Sequence, residues 1–569
     1  MKVKYLVQIT DPKTHIVDVK LELSEITKFP LTVFMPSWSP GSYLMREYSK
    51  NIRTFKATGD SGEYVFFEQK DKGAWVIDPS IEPNKEFNSI TIDYQVYCHE
   101  LTVRTSHVDE SHAFLHGPSY LMGVEGESFS PIIEFKFPAL WSKIHTAMPE
   151  LNDNLNEFVF CPESYDVLLD TPVEIGCHES DGFMHDNKEH HLIFYGESYP
   201  HKEKLKDDIK TIVETVSKHF SSIPYDKYYF ITHFKRNLYG GLEHLNSTAL
   251  HFDGRKLSSR KDYIMWLALV AHEYFHTWNV KRIRPKELGP FDYRNENYTR
   301  MHWLTEGLTS FMDELFVYRS GLCTLEEYLE MQKDNLNRYF SIPGKKFHSL
   351  EDSSFNAWIK LYRPDENSLN SSISYYLKGG LVFSALHFEL VKKGKNINDL
   401  LSLLWERYLA NPKEGMEAQE VYEMVQGLGG KDLLSKFTTM LSTTEDIDFE
   451  TYYKQIGLEF VWDETPKVDL GARLRFEGDR ILVDSIILDK AAYNGGLNAG
   501  DEIIAVNNMR FLKSDLDDMN KLLVIGQKYK FTVARLGTLI DLEVLIEKEE
   551  KKLLEIKIVD KALSQEVFK

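Results

Sequence analysis

The order of apolar and polar positions changes twice along the chain. Up to about residue 172, short stretches such as residues 16–23 and 89–97 alternate between apolar and polar side chains, with turns of Pro, Gly, Asn and Asp between them. Such alternation predicts strands that bury one face. From residue 202 the spacing becomes that of amphipathic helices, and short strands return after residue 470. The pattern therefore predicts a multidomain α+β protein.

The same changes predict the domain boundaries. We expect an N-terminal β-rich domain resembling an antiparallel sandwich at residues 1–172 and a mainly helical domain at residues 173–460. A small domain of short strands should follow at residues 461–546, and residues 547–569 should form a charge-rich tail. A chain of 569 residues is too long for one hydrophobic core, so several domains are expected.

A candidate metal site follows an apolar helix. Residues 263–270 are apolar on all sides, which predicts a buried helix, and this helix runs into His272-Glu273-Tyr274-Phe275-His276. Positions i and i+4 share a helix face, so His272 and His276 can offer two nitrogens to one zinc ion. Glu273 is then placed to take a proton from a water on the metal. The alternative is a core helix with two satisfied histidines.

A second helix, predicted over residues 301–313, supplies the third ligand. It carries Glu306 and Asp313 on one face, together with Trp303 and Ser310. Glu306 is the predicted carboxylate ligand of a single zinc ion, and Asp313 is predicted to hold a ligand histidine through its other nitrogen. The alternative for Glu306 is a solvated helix charge.

These motifs resemble those of a known peptidase group. The H-E-x-x-H pair followed by W-x-x-E-G resembles the gluzincin metallopeptidases, and residues 272–285 look like the glycyl aminopeptidase family that carries a PDZ domain. The resemblance implies a thermolysin-like catalytic domain at residues 173–460. His276 and Glu306 are 30 residues apart in this sequence, against about 20 in the aminopeptidase N group. Residues 38–46 also resemble a signature of the glycyl aminopeptidase family, although a tight turn explains them equally well.

The resemblance extends to substrate-binding residues. Gly241-Leu242-Glu243-His244 is similar to the G-x-M-E-N strand of related aminopeptidases, which implies that Glu243 holds the free amine of the substrate and that Gly241 lies at the cleft edge. A surface turn is the alternative. Tyr376, before Lys378 and Gly379, resembles the tyrosine that donates a hydrogen bond to the oxyanion. A packed aromatic at a helix start is the alternative there.

Residues 491–508 resemble the core of a PDZ domain. Such domains bind the carboxylate of a peptide C-terminus on backbone N–H groups. The corresponding loop here is Leu470-Gly471-Ala472, which departs from the usual G-L-G-F sequence. A structural or gating role for residues 461–546 is equally consistent with the sequence.

Charge and cysteine content restrict the partners. The formal net charge of −20 opposes binding to nucleic acid or anionic membranes. Four scattered cysteines and the absence of a leader-like N-terminus favour a cytoplasmic location. Peptides with a free N-terminus are the expected partners, peptide C-termini are candidates at the PDZ domain, and self-association is left open.

The sequence thus predicts a zinc aminopeptidase. Zinc-activated water would attack the peptide bond, with Glu273 as the base. The family resemblance implies a preference for small N-terminal residues such as Gly or Ala. Two alternatives remain at this stage: a zinc endopeptidase, and a catalytically idle scaffold that binds peptides through its PDZ domain.

Overall fold

The N-terminal region consists of strands, as the alternation predicts. A computed structural model of the chain describes residues 1–79, 87–151, 158–196, 202–517 and 519–569. Its first elements are β1 (Lys2–Gln8), β2 (Ile16–Ser24), β3 (Leu31–Phe34), β4 (Ile52–Thr58), β5 (Phe67–Asp71), β6 (Ala74–Ile77), β7 (Ser89–Tyr97), β8 (His107–Val108), β9 (His112–Leu115), β10 (Gly123–Val124), β11 (Ile132–Lys136), β12 (Lys143–Thr146), β13 (Phe158–Phe160), the short helix α1 (Tyr165–Leu169) and β14 (Val173–Gly176).

These strands form three sheets around a shared core. The largest has the order β13-β11-β1-β2-β7-β4, and two four-stranded sheets have the orders β10-β3-β6-β5 and β12-β14-β9-β8. The inward positions of β1 and β2, such as Tyr5 and Leu21, are fully buried in one apolar cluster. The prediction of a β-rich N-terminal domain is confirmed.

A mixed five-stranded sheet follows. Its strands are β15 (Glu179–His185), β16 (Lys188–Gly196), β17 (Lys227–Phe234), β18 (Tyr239–Glu243) and β19 (Ser247–Phe252), and helix α2 (Lys202–Ser217) connects β16 to β17. Strand order is β15-β16-β17-β19-β18, with β16, β17 and β19 parallel. The edge strand β18 runs antiparallel to β19 and carries Gly241 and Glu243.

Helices dominate the next 200 residues. They are α3 (Arg260–Phe275), α4 (Leu308–Arg319), α5 (Leu325–Phe340), α6 (Leu350–Phe355), α7 (Ala357–Lys360), α8 (Ser368–Ser371), α9 (Tyr375–Val391), α10 (Ile397–Ala410), α11 (Ala418–Ser442) and α12 (Phe449–Lys454). The helix predicted over residues 301–313 is not an α-helix throughout. Residues Trp303–Gly307 form a π-helical turn before α4 begins. Gly430 has φ of 82° inside α11, so the helical conformation is interrupted at this residue.

The remaining chain returns to strands. These are β20 (Leu458–Trp462), β21 (Val468–Asp469), β22 (Ala472–Glu477), β23 (Arg480–Ile486), β24 (Glu502–Val506), β25 (Met509–Arg510), β26 (Lys528–Arg535), β27 (Thr538–Leu545), β28 (Glu547–Lys548) and β29 (Leu553–Ile558), with helices α13 (Ala491–Asn494), α14 (Lys513–Asp517), α15 (Met519–Leu522) and α16 (Lys561–Phe568). The order β22-β23-β24-β26-β27 gives one sheet with its own apolar core. The helix expected over residues 515–523 includes residue 518, which lies outside the described residues.

The C-terminal tail is part of this fold. Strand β29 pairs with β20, and β28 pairs with β21. The ring of Phe568 packs against Tyr328 and Phe388, and His387 Nε2 donates to the carbonyl of Val567 at 2.9 Å. The sequence pattern did not predict these pairings, because each strand joins a partner distant along the chain.

Contacts divide the chain into two units. One contains Met1–Thr299, Met312–Cys323 and Asn398–Val421, and the other contains Arg300–Phe311, Thr324–Ile397 and Tyr422–Lys569. Helix α4 is continuous through the boundary at residue 312. Within the described residues, every helix is either too short or too polar to serve as a transmembrane span.

Candidate active site

The two histidines of the H-E-x-x-H motif lie at the end of a well-capped buried helix. Ser259 accepts a hydrogen bond from the Asp262 N–H and so begins α3. The helix is apolar around most of its circumference, and its C-terminal half is buried, including its own Tyr274 and Phe275. The rings of His272 and His276 have centroids 4.7 Å apart. Helix geometry thus places both imidazoles on one face, as predicted.

Each imidazole has one nitrogen already bound to an acceptor. His272 Nδ1 donates to Asp313 Oδ2 at 2.8 Å, and His276 Nδ1 donates to the carbonyl of Asn279 at 2.6 Å. With the proton on Nδ1, the lone pair is on Nε2 of both rings, which is the arrangement found in metal-binding histidines. The donor set of two neutral imidazoles therefore fits a zinc ion.

The residues after α3 are fixed to the five-stranded sheet by Arg282. Its Nη1 donates to the carbonyls of Thr277 and Leu245, at 2.7 and 3.0 Å, and its Nη2 donates to the carbonyl of Pro224 at 2.8 Å. The guanidinium is buried, so these bonds compensate for the loss of its hydration. They hold the His276 end of the helix in a defined position relative to the sheet.

The edge strand β18 approaches helix α3 closely at Gly241. A Cβ atom on Gly241 would lie 2.0 Å from Glu273 Oε1, so only glycine leaves room for this carboxylate. Arg104 Nη2 donates to the Gly241 carbonyl at 3.2 Å and holds the strand from its other side. The sequence resemblance implies that Gly241 lies at the edge of a substrate cleft. In the structure the group it admits is the predicted base itself.

Glu243, two residues further along the strand, is also buried at 5% exposure. Its carboxylate contacts Gly41, where a Cβ would lie 2.5 and 2.6 Å from the two oxygens. Gly41 has φ of 81°, a left-handed conformation that favours glycine. The tight turn of residues 38–46 therefore packs against Glu243, a contact that the sequence pattern did not predict. The signal for it was the resemblance of that turn to the glycyl aminopeptidase signature.

Glu243 and Glu273 form a buried acidic group with His276. One ligand atom from each of the three side chains lies within 4.8 Å of the others. Two carboxylates at this distance repel each other unless a cation is present. The site therefore favours a positively charged ligand group next to the H-E-x-x-H motif.

A cavity of about 820 Å³ opens beside Glu243. Gly41, Asp170 and Lys281 are among its lining residues. Lys281 Nζ lies 2.8 Å from Asp170 Oδ1, and although burial opposes ionisation of Asp170, Lys281 and His244 lower the pKa of this carboxyl. This ion pair compensates the charge of Asp170, and Glu243 is a further acidic group of the cavity wall.

The predicted residues of the other unit are Glu306 and Tyr376. Glu306 lies in the π-helical turn with 2% exposure. Gly307 and Gly379 are in backbone contact, since a Cβ on Gly307 would lie 2.8 Å from the Gly379 Cα. This approach brings the turn next to the first turn of α9, where Tyr376 is located. Burial and then the charge of Glu306 raise the pKa of Tyr376 well above its usual value, so its hydroxyl keeps its proton.

The predicted carboxylate loop of the C-terminal sheet is compact. Gly471 has φ of 66°, and its N–H donates to Asp469 Oδ1 at 2.7 Å. The carbonyl of Leu470 accepts from the Ala492 N–H at 2.7 Å. One N–H group of the Leu470-Gly471-Ala472 loop is therefore bound within the protein.

Comparisons with known proteins agree with this geometry. Residues 4–177 match the Peptidase M61 N-terminal domain, and residues 265–382 match the M61 glycyl aminopeptidase family. Neither match extends to residues 461–546, the predicted PDZ domain. A comparison with curated protein sequences gave no match.

Two solved structures are similar to the chain. The crystal structure of an aminopeptidase N family protein from Idiomarina loihiensis is 26% identical, each chain covers 100% of the other, and the TM-score is 0.93. A variant of the M1 zinc metallopeptidase from Deinococcus radiodurans, bound to a Tyr-Ser-Ala substrate, is 13% identical over 79% of this chain and 94% of its own, with a TM-score of 0.49.

The first of these structures shares the complete fold of the chain. The two family matches cover the N-terminal sheets and both segments that contain the predicted zinc ligands. On these findings, the chain is a peptidase related to the M61 glycyl aminopeptidases.

Proposed function

We propose that the protein is a zinc aminopeptidase whose ion is held by His272, His276 and Glu306. The imidazoles of His272 and His276, with ring centroids 4.7 Å apart, support the histidine part of this set. Chain geometry gives independent support. Glu306 precedes Asp313 by seven residues, or about two helical turns, and Asp313 is bonded to His272.

The protein side chains then have separate roles in peptide hydrolysis. Bound zinc would polarise the scissile carbonyl and make water more acidic. Glu273 takes the proton of the attacking water and transfers it to the leaving amine. The protonated hydroxyl of Tyr376 donates a hydrogen bond to the oxygen that gains negative charge. Gly241 keeps the space that the carboxylate of Glu273 needs.

Glu243 is the residue that favours an aminopeptidase over an endopeptidase. The observation that carries this choice is the convergence of Glu243, Glu273 and His276 in one buried group. A substrate α-ammonium beside Glu243 would compensate the two carboxylates, whereas an acylated N-terminus would bring no charge. The endopeptidase alternative places no cation there.

Hydrolysis of matched peptides tests the proposal. The wild-type protein should cleave a free tripeptide such as Ala-Ala-Phe and leave its N-acetyl form intact. Replacement of Glu243 by glutamine should raise KM for the free peptide by about tenfold or more, because a charged hydrogen bond is lost. Equal cleavage of the free and acetylated peptides would support an endopeptidase. Peptide binding without any hydrolysis would support the scaffold alternative.

The preference for small N-terminal residues rests on the family match alone. A series of aminoacyl p-nitroanilides tests it directly. We expect larger kcat/KM values for the Gly and Ala compounds than for the Leu and Phe compounds. The opposite order would reject the preference and leave the aminopeptidase assignment intact.

Replacement of Asp313 by asparagine should weaken zinc binding by about 10- to 100-fold, because the carboxylate orients His272 and increases its basicity. Competition with a chromophoric chelator measures the affinity. Glu314→Gln, a change at the next residue, is the matched control and should retain wild-type affinity. Unchanged affinity in Asp313→Asn would contradict the role of Asp313.

Replacement of Tyr376 by phenylalanine should lower kcat by about 10²-fold with little change in KM, because the hydroxyl contributes mainly in the transition state. Steady-state kinetics on a free peptide measure both values. Tyr362→Phe is the control. Tyr362 Oη lies 3.4 Å from Tyr376 Oη, and loss of the Tyr362 hydroxyl should lower turnover only weakly. A larger effect for Tyr362→Phe would reverse the assignment.

The C-terminal sheet completes the proposal. We propose that residues 461–546 form a PDZ domain, and the support is the order of its strands and short helices together with the resemblance of residues 491–508 to a PDZ core. Its ligand would be a peptide C-terminus at Leu470-Gly471-Ala472, and binding of a labelled C-terminal peptide before and after amidation tests this.

Two further expectations from the sequence remain proposals. They are the division of the chain into four parts, with boundaries at residues 172, 460 and 546, and a cytoplasmic location.

A further inference from the structure

The hairpin that joins β8 and β9 carries three side chains of metal-ligand type, outside the site described above. His107 lies in β8, His112 begins β9, and Asp109 is in the turn between them. One ligand atom from each lies within 4.8 Å of the others. Both imidazoles are buried, and the side chain of Asp109 is 32% exposed. The three groups therefore converge at a position that solvent can reach.

Both histidines have their Nδ1 atoms bound to acceptors. His107 Nδ1 donates to the carbonyl of His99 at 2.6 Å, and His112 Nδ1 donates to Glu174 Oε1 at 2.7 Å. These bonds leave the lone pair on Nε2 of each ring, as in the H-E-x-x-H pair. His112 Nε2 is buried and has no hydrogen-bond partner among the described residues. A buried nitrogen of this kind requires an explanation.

Glu174 holds His112 rigidly. It is fully buried in β14, and its Oε2 accepts from His233 Nε2 at 3.0 Å, so it links two sheets. In the β9–β14 register, His112 lies opposite Gly176, and Glu174 is therefore a diagonal neighbour on the same face. A Cβ on Gly176 would lie 3.0 Å from the His112 Cβ. The absence of a side chain at this position leaves space for the imidazole.

Hydrogen bonds alone do not satisfy the Nε2 atoms of His107 and His112, whereas a bound metal ion would. His107 Nε2 lies 3.2 Å from Asp109 Oδ2, and only the doubly protonated ring can donate to Asp109 and to the His99 carbonyl together. His112 Nε2 would still have no partner. A divalent cation bound by the two Nε2 atoms and the Asp109 carboxylate satisfies all three groups and compensates the charges of Asp109 and Glu174.

We propose that His107, Asp109 and His112 form a second metal site, distinct from the one at His272, His276 and Glu306. Two imidazoles and one carboxylate favour zinc or a neighbouring transition-metal ion over calcium or magnesium, which prefer oxygen ligands. The exposed side of Asp109 leaves a position for water. Because Glu174 connects His112 to His233 in β17, the ion fixes the hairpin to two sheets and stabilises the N-terminal region.

Zinc stoichiometry in a variant without the first site tests this proposal. The double variant His272→Ala/His276→Ala is stripped with a chelator, reloaded with zinc, desalted and measured by mass spectrometry. It should retain about one zinc per chain, and zinc should raise its melting temperature by about 2–4 °C. In Co²⁺-loaded protein, d–d absorption bands should report the coordinated site. The hairpin residues are unchanged in this double variant. If it folds but binds no zinc, the proposal is overturned.

Further substitutions in the same background locate the ion. Adding His107→Asn or Asp109→Asn should abolish the remaining zinc and the cobalt bands. His190→Asn is the matched control, because His190 is a buried histidine of β16 that bonds Tyr225, and it should retain both signals. Circular dichroism verifies folding of each protein. Zinc that persists after both hairpin substitutions would be adventitious and would reject the site.

Discussion

Replacement of Glu273 by glutamine should lower kcat by about 10³-fold or more while zinc remains bound. Glutamine has the size of glutamate and cannot accept a proton, so the variant loses general base catalysis, which contributes about 10² to 10⁴ in rate. The metal ligands are separate side chains, and zinc content should stay at the wild-type value. Steady-state hydrolysis of a free peptide and metal analysis of the same sample provide the two measurements.

Asp262→Asn is the control for this substitution. Asp262 lies in the first turn of the same helix, far from the histidines, and its variant should retain near-normal turnover. Loss of zinc from Glu273→Gln would mean that Glu273 contributes to metal binding. Turnover within about tenfold of wild type would remove Glu273 as the base.

Replacement of Gly241 by alanine should lower kcat by about 10³-fold although residue 241 touches no reacting atom in the proposed mechanism. The added methyl group would lie 2.0 Å from Glu273 Oε1, so either the carboxylate or the edge strand must move. Displacement of a catalytic group by about 1 Å already costs about 10²-fold in rate. Zinc affinity should change little, because the histidines are held by Asp313 and Asn279.

A double-mutant cycle separates this effect from general damage to the fold. If Gly241→Ala acts through Glu273, it should cost little in the Glu273→Gln background, because the base is already absent. Additive losses in the cycle would indicate that the methyl group disturbs substrate binding or strand β18 instead. Gly41→Ala provides a second comparison, since its Cβ would meet Glu243 and should raise KM more than it lowers kcat.

The sequence predicted the parts of the site that depend on helix periodicity. Positions 272 and 276 share a helix face for any regular helix, and the seven-residue spacing between Glu306 and Asp313 places them on one side of the next helix. The pattern also predicted helical structure around Trp303 and after Tyr376, although Trp303–Gly307 is a π-helical turn. Local spacing was sufficient here because these groups are close together along the chain.

Groups that are distant along the chain were not predictable in the same way. The contact of Gly41 with Glu243 joins residues two hundred positions apart, and the Glu174 bonds join three different strands. The π-helical turn at Trp303–Gly307 differs from an α-helix by one additional residue in its hydrogen-bonded ring, which a pattern of apolar positions does not reveal. The pairing of β29 with β20 likewise depends on tertiary structure, because the two strands are distant along the chain.

The contact between Gly307 and Gly379 has a consequence for how the activity can be altered. The two backbones touch directly, because each glycine has only a hydrogen atom in place of a side chain, and this contact sets the distance between the π-helical turn and α9. Glu306 and Tyr376 are next to this contact on its two sides. A change in the separation would shift the carboxylate and the hydroxyl together, so substitutions at these glycines should alter the proposed metal binding by Glu306 and the proposed hydrogen bond from Tyr376 at the same time.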